Sequence, residues 1–370
     1  MKVTKLKLTN FTAFEDLVCD FASGINVFIG ENGTGKTHIL KVIYAVSDAI
    51  RYSLAGHGKA PGAEAGPLLR RVLHEYLADV FRPDAATTGL SGRPDPSRLV
   101  RRRGVPGEAT IRMDWDSGAS IQIILPPSAG RALDDQVGLV ELDGDFRSIE
   151  QSIFLPAREI LSIYPGLTSA IRNSELAFDS TYLALGDALA AAPVKPDRRN
   201  ERLAALIGPM EKAIRGKVVY DGREFYIRGS DGDIEAPLTA EGHRKLATVA
   251  YLLTTEYLKS NGFLLWDEPE GNLNPGVTKQ VVELLAALAH EQIQIFVATH
   301  DYLLTSEISL LAEYPKQTPL EIAFFSLAFA ASGTSVEKGD VMADIQNNPL
   351  LDAYSDHFDR ETALAQQEIE

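Results

Sequence analysis

Short apolar runs recur along the chain and alternate with stretches of helical periodicity. The runs at 25–29, 153–155, 263–266 and 293–298 are almost wholly apolar, and several are rich in β-branched or aromatic residues. Strands buried on both faces have this composition, and they occur in parallel sheets that helices cover on each side. The pattern therefore predicts an α/β fold with a mainly parallel core sheet.

Three other segments alternate between apolar and polar residues, as half-buried strands do. Residues 1–8 have this pattern, and the segment 109–125 repeats it on both sides of a turn at Asp116-Ser117-Gly118. The segment 217–228 is similar and turns at Asp221-Gly222. We expect two antiparallel hairpins here, and hence an antiparallel β subdomain beside the core sheet.

Two regions interrupt this order and look inserted. Residues 55–105 begin with Ala, Gly and Pro, carry a helical pattern over 68–81, and end in an arginine cluster. Residues 158–215 have helical patterns broken by Pro165 and by the stretch 193–196, which predicts a helical subdomain. The sequence contains no long heptad run, so we do not expect an extended coiled coil.

One stretch matches the phosphate-loop pattern G-x-x-x-x-G-K-[ST] in full, between the strand at 25–29 and a helical stretch at 38–50. Glycines let the backbone turn tightly, so that successive N–H groups and the helix N-terminus point at phosphates. Lys36 is expected to reach the β- and γ-phosphates of ATP, and the Thr37 hydroxyl to ligate Mg²⁺. The alternative, a chance match in a Gly-rich loop, is disfavoured by the flanking strand and helix. The predicted nucleotide-binding residues here are Gly30, Glu31, Asn32, Gly33, Thr34, Gly35, Lys36, Thr37 and His38.

The strand predicted at 263–266 ends in two carboxylates, Asp267 and Glu268. Asp267 would hold the magnesium ion, and Glu268 would orient and polarise the attacking water as a general base. A strand that merely ends in solvated acids is the alternative. The strand predicted at 293–298 leads to His300, which can hydrogen-bond a γ-phosphate. A lone histidine is more often structural, but its order after the acid pair favours a catalytic set of Lys36, Glu268 and His300.

Composition narrows the class of protein. The chain has 370 residues, 45% of them hydrophobic and 24% charged, which is ordinary for a globular protein with a sizeable core. The net charge of −15 argues against a broad nucleic-acid surface, although a local basic patch is compatible with it. The single cysteine, Cys19, and the lack of a signal-peptide pattern or a long apolar span predict a cytoplasmic protein with no membrane segment.

The order of these motifs resembles the ABC ATPase heads of the SMC and RecF-like group, including free-standing ATPases of bacterial defence and repair systems. The resemblance covers most of the chain and implies a P-loop NTPase fold of the ABC type with ATP and Mg²⁺ as cofactors. The stretches that carry it are LTNF at 8–11, GINVFIGENG at 24–33, LLWDEP at 264–269 and ATH at 298–300.

The resemblance implies a single ABC ATPase head over residues 1–370. Within it we expect a nucleotide-binding lobe over 1–155, which contains the inserted region 55–105. A helical lobe with the family's signature motif is expected over 156–260. The segment 261–370 would supply the acidic strand, the histidine strand and a C-terminal α/β part that completes the core.

The family's signature motif lies at a helix N-terminus, and the matching stretch here is 238–245. In the family this motif of one subunit caps the γ-phosphate held by the other. The resemblance therefore implies a head-to-head homodimer, or a higher assembly, in which Ala240, Glu241 and Gly242 contact nucleotide. The family's serine corresponds either to Thr239 or to Ala240. If Ala240 takes its place, the backbone, Gly242 and Arg244 would compensate for the lost hydroxyl.

Arg158 and Glu159 follow the apolar run at 153–155, where the family's glutamine loop is expected. Their Leu-Pro-Ala-Arg-Glu context is similar to that of defence-type members, which implies that both residues line the active site. A surface pair in a strand-to-helix turn is the alternative. Gln151 is the candidate for the glutamine itself.

Three functions are compatible with these features. The first is an ATP-gated dimeric switch that controls a separate effector protein, and the resemblance favours antiviral defence as its setting. The second is a DNA repair or chromosome-maintenance ATPase that grips DNA through its arginines, for which an ion-paired, solvated face is the alternative. The third, a transporter's nucleotide-binding subunit, is disfavoured by the amino-terminal strand, the inserted helices and the atypical signature. The arginines concerned are Arg70, Arg71, Arg98, Arg101, Arg102 and Arg103.

Overall fold

The architecture is that of a computed structural model, in which most of the chain is described. Arg102 and Arg103 of the predicted basic cluster lie outside the described residues, as do Lys195 and Pro196. The described residues are 1–55, 66–84, 94–101, 107–127, 137–138, 140–194, 201–255, 257–315, 319–331 and 333–367.

Strands and helices alternate along the described chain, as the apolar pattern predicts. The strands are β1 (Val3–Phe11), β2 (Phe14–Asp20), β3 (Ile25–Gly30), β4 (Ala109–Trp115), β5 (Ser120–Leu125), β6 (Val140–Asp143), β7 (Ser152–Leu155), β8 (Lys217–Tyr220), β9 (Phe225–Gly229), β10 (Gly232–Glu235), β11 (Phe263–Asp267), β12 (Gln294–Ala298), β13 (Ile322–Ala330) and β14 (Gly333–Gly339). The α-helices are α1 (Lys36–Ala55), α2 (Gly66–Phe81), α3 (Leu167–Arg172), α4 (Ser180–Leu189), α5 (Glu201–Ala213), α6 (Glu241–Thr254), α7 (Pro275–His290), α8 (Tyr302–Glu313) and α9 (Pro349–Gln367).

A six-stranded core sheet has the order β14-β13-β3-β12-β11-β7. All of its pairings are parallel except that of β13 with the edge strand β14. This confirms the predicted α/β class with a mainly parallel core sheet. Because β3, β12 and β11 are neighbours and parallel, their carboxyl ends meet at one edge of the sheet.

Both faces of the core sheet are buried, which explains why its strands are continuously apolar. Successive side chains of a strand point to opposite faces. Phe28 and Leu265 accordingly pack into one hydrophobic core, whereas Val27 and Leu264 pack into the other.

The first core lies between the sheet, helices α1 and α2, and a five-stranded antiparallel sheet of order β2-β1-β4-β5-β6. The hairpin predicted over 109–125 is the β4–β5 pair of this sheet, in which Met113 lies opposite Ile121. Aromatic contacts contribute to the packing of this core. The rings of Phe28 and Phe325, for example, are stacked with their centroids 5.0 Å apart.

The second core lies on the other side, among helices α4 to α7 and a three-stranded sheet of order β10-β9-β8. The hairpin predicted over 217–228 is the β8–β9 pair. The helix after the signature stretch begins at Glu241, with Ala240 as its N-cap. No helix among the described residues is long and apolar enough to cross a membrane.

Candidate functional site

The predicted phosphate loop connects β3 to α1 through glycines in conformations that other residues avoid. Gly30 has φ +145°, and a Cβ on it would lie 2.3 Å from the Leu327 carbonyl oxygen. Gly35 has φ +102°, and its Cβ would lie 2.5 Å from the Phe14 ring. Any side chain at either position would force the backbone or a buried ring to move, so the loop geometry requires glycine.

The tip of the loop, from Glu31 to Gly33, is exposed, whereas Thr34 is fully buried. The Thr34 hydroxyl donates to the Glu31 carbonyl at 2.8 Å and closes the loop on itself. The tip therefore faces solvent, and the buried Thr34 side chain holds it from below.

Lys36 is the first residue of α1 and only 8% exposed. Its ammonium donates to the Gly30 carbonyl at 2.6 Å and to the Glu31 carbonyl at 2.9 Å. Burial lowers the pKa of Lys36, while the carboxylates of Asp267 and Glu268 act in the opposite direction. The ammonium is thus held inside the loop and close to the predicted acid pair.

Thr37 and Asp267 bring α1 and β11 together. The Thr37 hydroxyl lies 3.0 Å from each of the two Asp267 carboxylate oxygens. Burial raises the pKa of Asp267 to about 6, and the Thr37 hydrogen bond partly offsets this rise.

This pair fits a magnesium ion. A hydroxyl and a carboxylate supply the oxygen ligands that Mg²⁺ prefers, and a cation would offset the cost of keeping the Asp267 charge buried. The described residues contain no group of three or more His, Cys, Asp or Glu side chains suited to a metal ion. Thr37 and Asp267 would thus supply two oxygen ligands, and Mg²⁺ beside nucleotides takes its other ligands from water and phosphate oxygens.

Glu268 follows β11 with a left-handed backbone, at φ +48°. A residue other than glycine in this region costs about 1–3 kcal/mol and is retained where its surroundings hold it. The Glu268 N–H donates to the Ala298 carbonyl at 2.8 Å. The Glu268 carbonyl accepts from the Lys245 ammonium at 2.9 Å and from the Gly271 N–H at 3.1 Å.

The Glu268 and His300 side chains meet at the ends of neighbouring strands. The distance from Glu268 Oε1 to His300 Nδ1 is 3.5 Å, and the two side chains are 39% and 48% exposed. Both groups are thus anchored by buried strands and open to solvent, as groups that act on a bound molecule must be.

Glu270 belongs to this site and was not predicted. Its carboxylate is 8% exposed and lies 3.6 Å from His300 Nδ1. It accepts from the Thr299 hydroxyl at 2.6 Å and from the His300 N–H at 3.1 Å. Burial raises the pKa of Glu270, and these two hydrogen bonds act against the rise. Glu270 therefore fixes the main chain of His300.

The N-terminus of α6 carries the signature stretch. Ala240 is exposed and makes no side-chain cap, so the first N–H groups of the helix lack the acceptor that Ser or Asp would provide. The Thr239 hydroxyl does not serve as a cap either, because it donates to the Ala236 carbonyl at 2.8 Å. Leu238 just before it is 74% exposed.

Glu241 and Gly242 open the first turn of α6. Glu241 is half-buried, and Gly242 is buried against the loop that follows Glu268. A Cβ on Gly242 would lie 2.7 Å from the Leu273 side chain, so the helix packs on this loop through a glycine. The helix end is thus accessible, whereas the face of Gly242 is covered by its own chain.

Arg244, which would compensate if Ala240 takes the place of the family's serine, is engaged within its own chain. Its Nε lies 2.6 Å from the Glu159 Oε1 atom, and the two side chains are only 12% and 6% exposed. This contact is an ion pair rather than an aligned hydrogen bond, since Arg244 Nε has no hydrogen-bond partner. Arg244 Nη1 also donates to the Thr239 carbonyl. Both charged groups are therefore engaged within one chain, and Glu159 joins the segment after β7 to α6.

Arg158 is exposed, at the carboxyl end of β7 and beside Tyr182 of α4. The candidate glutamine Gln151 is wrong, because it precedes β7 and lies at the amino ends of the strands. The His38 ring packs against Phe81, with centroids 5.6 Å apart. Burial lowers the pKa of His38 to about 4, which keeps the ring neutral.

Comparison with known families agrees with this geometry. The family model described as "AAA domain, putative AbiEii toxin, Type IV TA system" matches residues 113–306, more than half of the chain. A second family model, "AAA ATPase domain", matches residues 1–85.

Several curated relatives carry the description "DNA replication and repair protein RecF". The protein of Yersinia enterocolitica is 28% identical over 126 residues, which are 33% of this chain and 29% of the relative. That of Yersinia pseudotuberculosis is 31% identical over 118 residues, 30% of each chain. That of Pediococcus pentosaceus is 52% identical over 44 residues, 12% of each chain. In each case the match spans less than a third of the relative's length.

Solved structures of SMC heads are similar to this chain at low sequence identity. An SMC head bound to the C-terminal winged-helix domain of ScpA has a TM-score of 0.50 at 13% identity, and the match covers 93% of this chain and 99% of that one. The SMC head domain of Thermotoga maritima has a TM-score of 0.48 at 15% identity, over 92% and 100%. The match to the ScpA-bound SMC head confirms the expected ABC-type P-loop fold. The chain belongs to the family described as "AAA domain, putative AbiEii toxin, Type IV TA system", and it is similar to ABC-class ATPases of the SMC and RecF-like group.

Proposed function

We propose that the chain binds ATP with Mg²⁺ at the carboxyl ends of β3, β11 and β12 and hydrolyses it between two head-to-head copies. The observation that carries this proposal is the convergence of Lys36, Thr37, Asp267, Glu268 and His300 from three neighbouring strand ends. A glycine-rich loop and an ammonium can bind the phosphates of a triphosphate, and a hydroxyl–carboxylate pair can bind its magnesium ion.

In this proposal the N–H groups of the phosphate loop and the Lys36 ammonium bind the β- and γ-phosphates. Thr37 and Asp267 hold the magnesium ion, which supplies charge neutralisation at the phosphate oxygens. Glu268 orients a water molecule and accepts its proton as the oxygen attacks the γ-phosphorus. The bond between this phosphorus and the oxygen that bridges to the β-phosphate breaks, and ADP leaves. His300, held through Glu270, donates to a γ-phosphate oxygen.

A second copy is part of the proposal because the α6 N-terminus is exposed and lacks a side-chain cap. In the proposed dimer its accessible N–H groups, at Ala240 and Glu241, bind the γ-phosphate held by the partner, while Gly242 packs on its own chain. ATP would then act as the contact between two copies, and hydrolysis would release them.

We further propose that this dimer is a switch for a separate effector protein, in an antiviral setting. In support, the description of the matched family names a toxin of a toxin–antitoxin system. Purification from the native host with ATP and Mg²⁺ tests this part. A stoichiometric partner that elutes with ATP but not with ADP is expected, and a chain that elutes alone in both would contradict it.

A DNA repair or chromosome-maintenance role is the second candidate, because the curated relatives are described as RecF. The described arginines of the basic cluster give it little support. Arg98 pairs with Asp84 at 3.2 Å, and Arg101, 10% exposed, pairs with Glu15 at 2.8 Å. Affinity for double-stranded DNA measured against salt separates the two candidates. Genuine phosphate contacts give a steep loss of affinity as salt rises, whereas the switch predicts weak binding at all salt concentrations.

A further inference from the structure

Lys245 is a buried lysine that the catalytic scheme above does not use. It lies on α6, one helical turn after Glu241, and is 5% exposed. Burial lowers the pKa of its ammonium. Lysine is seldom buried to this extent unless its charge is matched by a partner. The carboxylates that offset the burial are those of Glu241, Glu270, Glu268 and Glu159.

The hydrogen bond of this ammonium goes to the main chain of the predicted base. Lys245 Nζ donates to the Glu268 carbonyl at 2.9 Å. Glu268 has a left-handed backbone conformation, at φ +48°. Such a conformation persists when neighbouring groups hold it, and the Lys245 ammonium and the Gly271 N–H are the two donors that hold this carbonyl.

We propose that Lys245 is a positioning residue, which holds the Glu268 backbone so that its carboxylate faces His300 and the phosphate loop. This inference rests on the proposed function, since it assigns the group that orients the proposed base. Lys245 itself touches neither nucleotide nor water in this scheme. It acts through the main chain of Glu268.

Two substitutions remove this contact from opposite sides. Lys245→Met keeps the length and burial of the side chain but removes the donor. Gly271→Ala places a Cβ 2.8 Å from Lys245 Nζ, and the ammonium, as the end of a flexible side chain, must move away. Gly271 is not among the residues with positive φ, so alanine adds no backbone strain there.

Matched controls leave the contact intact. Gly208→Ala adds a Cβ in α5 with nothing within 4 Å, and Lys259→Met alters an exposed lysine. Each variant is compared with the parent chain by steady-state ATP turnover, by titration with a fluorescent ATP analogue, and by thermal melting.

We expect kcat to fall by on the order of 10- to 100-fold in Lys245→Met and Gly271→Ala, with ATP affinity within about twofold of the parent. The melting temperature of Gly271→Ala should match the parent, and both controls should turn over ATP normally. In a Glu268→Gln background, Lys245→Met should cause no further loss of turnover, because the group it positions is already inactive.

Parent-like kcat in Lys245→Met and Gly271→Ala, alongside a Glu268→Gln variant that is inactive, would overturn this inference and leave the proposed function standing. The same is true if Lys245→Met loses turnover only together with its melting temperature while Gly271→Ala stays active, since that identifies a packing role. Unchanged turnover in Glu268→Gln would instead overturn the proposed function.

Discussion

The phosphate loop and the N-terminus of α6 are both predicted phosphate-binding sites, yet they are built in opposite ways. The loop is closed within one chain, since Lys36 is buried and hydrogen-bonded to the carbonyls of Gly30 and Glu31. The α6 end is exposed at Ala240 and has no cap of its own. The first N–H groups of a helix without a cap are open to an acceptor from outside the helix, such as water or a ligand. The comparison teaches that the phosphate loop is preformed within one chain, whereas the proposed second half of the site depends on a second copy.

The largest expected effect concerns the preformed half. Glu268→Gln should lower ATP turnover by roughly 10²- to 10⁴-fold, because an amide cannot accept the proton of the attacking water. ATP binding should persist, since the substitution leaves the loop and the Thr37–Asp267 pair intact. Phosphate release and nucleotide titration measured on one preparation check both statements. Turnover equal to that of the parent would remove Glu268 from the role of base.

Lys36→Ala should weaken ATP affinity by about 10- to 100-fold, because it removes charge-assisted hydrogen bonds to phosphate. Equilibrium titration with ATP and Mg²⁺ provides the measurement. Lys259→Met, at an exposed lysine, is the control and should bind ATP as the parent does. Equal affinity in Lys36→Ala and the parent would show that the loop does not grip the triphosphate.

Ala240→Asp tests whether the α6 end is capped by its own chain or meets the partner's phosphate. An N-cap aspartate should accept from the free N–H groups and stabilise the single chain by about 1 kcal/mol. The same carboxylate would stand where the partner's γ-phosphate is expected, so ATP-dependent dimers should be lost by charge repulsion. Thermal melting and light scattering with ATP report the two effects separately. A variant that is more stable and still dimerises with ATP would show that this helix end does not meet the partner's phosphate.

Glu270→Gln should have the smallest effect, a fall in turnover of about 2- to 10-fold. Glutamine keeps an acceptor for the Thr299 hydroxyl and the His300 N–H but removes the charge that lies 3.6 Å from His300 Nδ1. ATP affinity should not change. A loss as large as that of Glu268→Gln would contradict this secondary role and show that turnover needs both carboxylates.

The contrast between the phosphate loop and the α6 end also explains how much of the structure the sequence could predict. The phosphate loop, the strand before Asp267 and the strand before His300 depend on local patterns, and the structure has them where the patterns place them. The core sheet was also predictable, because its strands are apolar on both faces. The first residue of α6 was harder to predict, since the helix begins at Glu241 in a stretch that no apolar pattern marks.

Contacts between distant segments could not be predicted. Glu270 stands in a turn-forming stretch, and only the approach of β12 makes it the partner of Thr299 and His300. The ion pair of Arg244 could not be predicted, because sequence order does not show that Glu159, far away in the chain, lies beside it. Gln151 was wrong because it is on the amino side of its strand, opposite the site.

The central claim is that ATP joins two copies through the α6 helix ends. The most direct test is the mass in solution of the Glu268→Gln variant, measured by light scattering with ATP and Mg²⁺, with ADP, and with Ala240→Asp added. We predict a dimer with ATP, a monomer with ADP, and a monomer in the double variant with ATP. A monomer in all three conditions despite bound ATP, or a dimer in all three, would contradict the account.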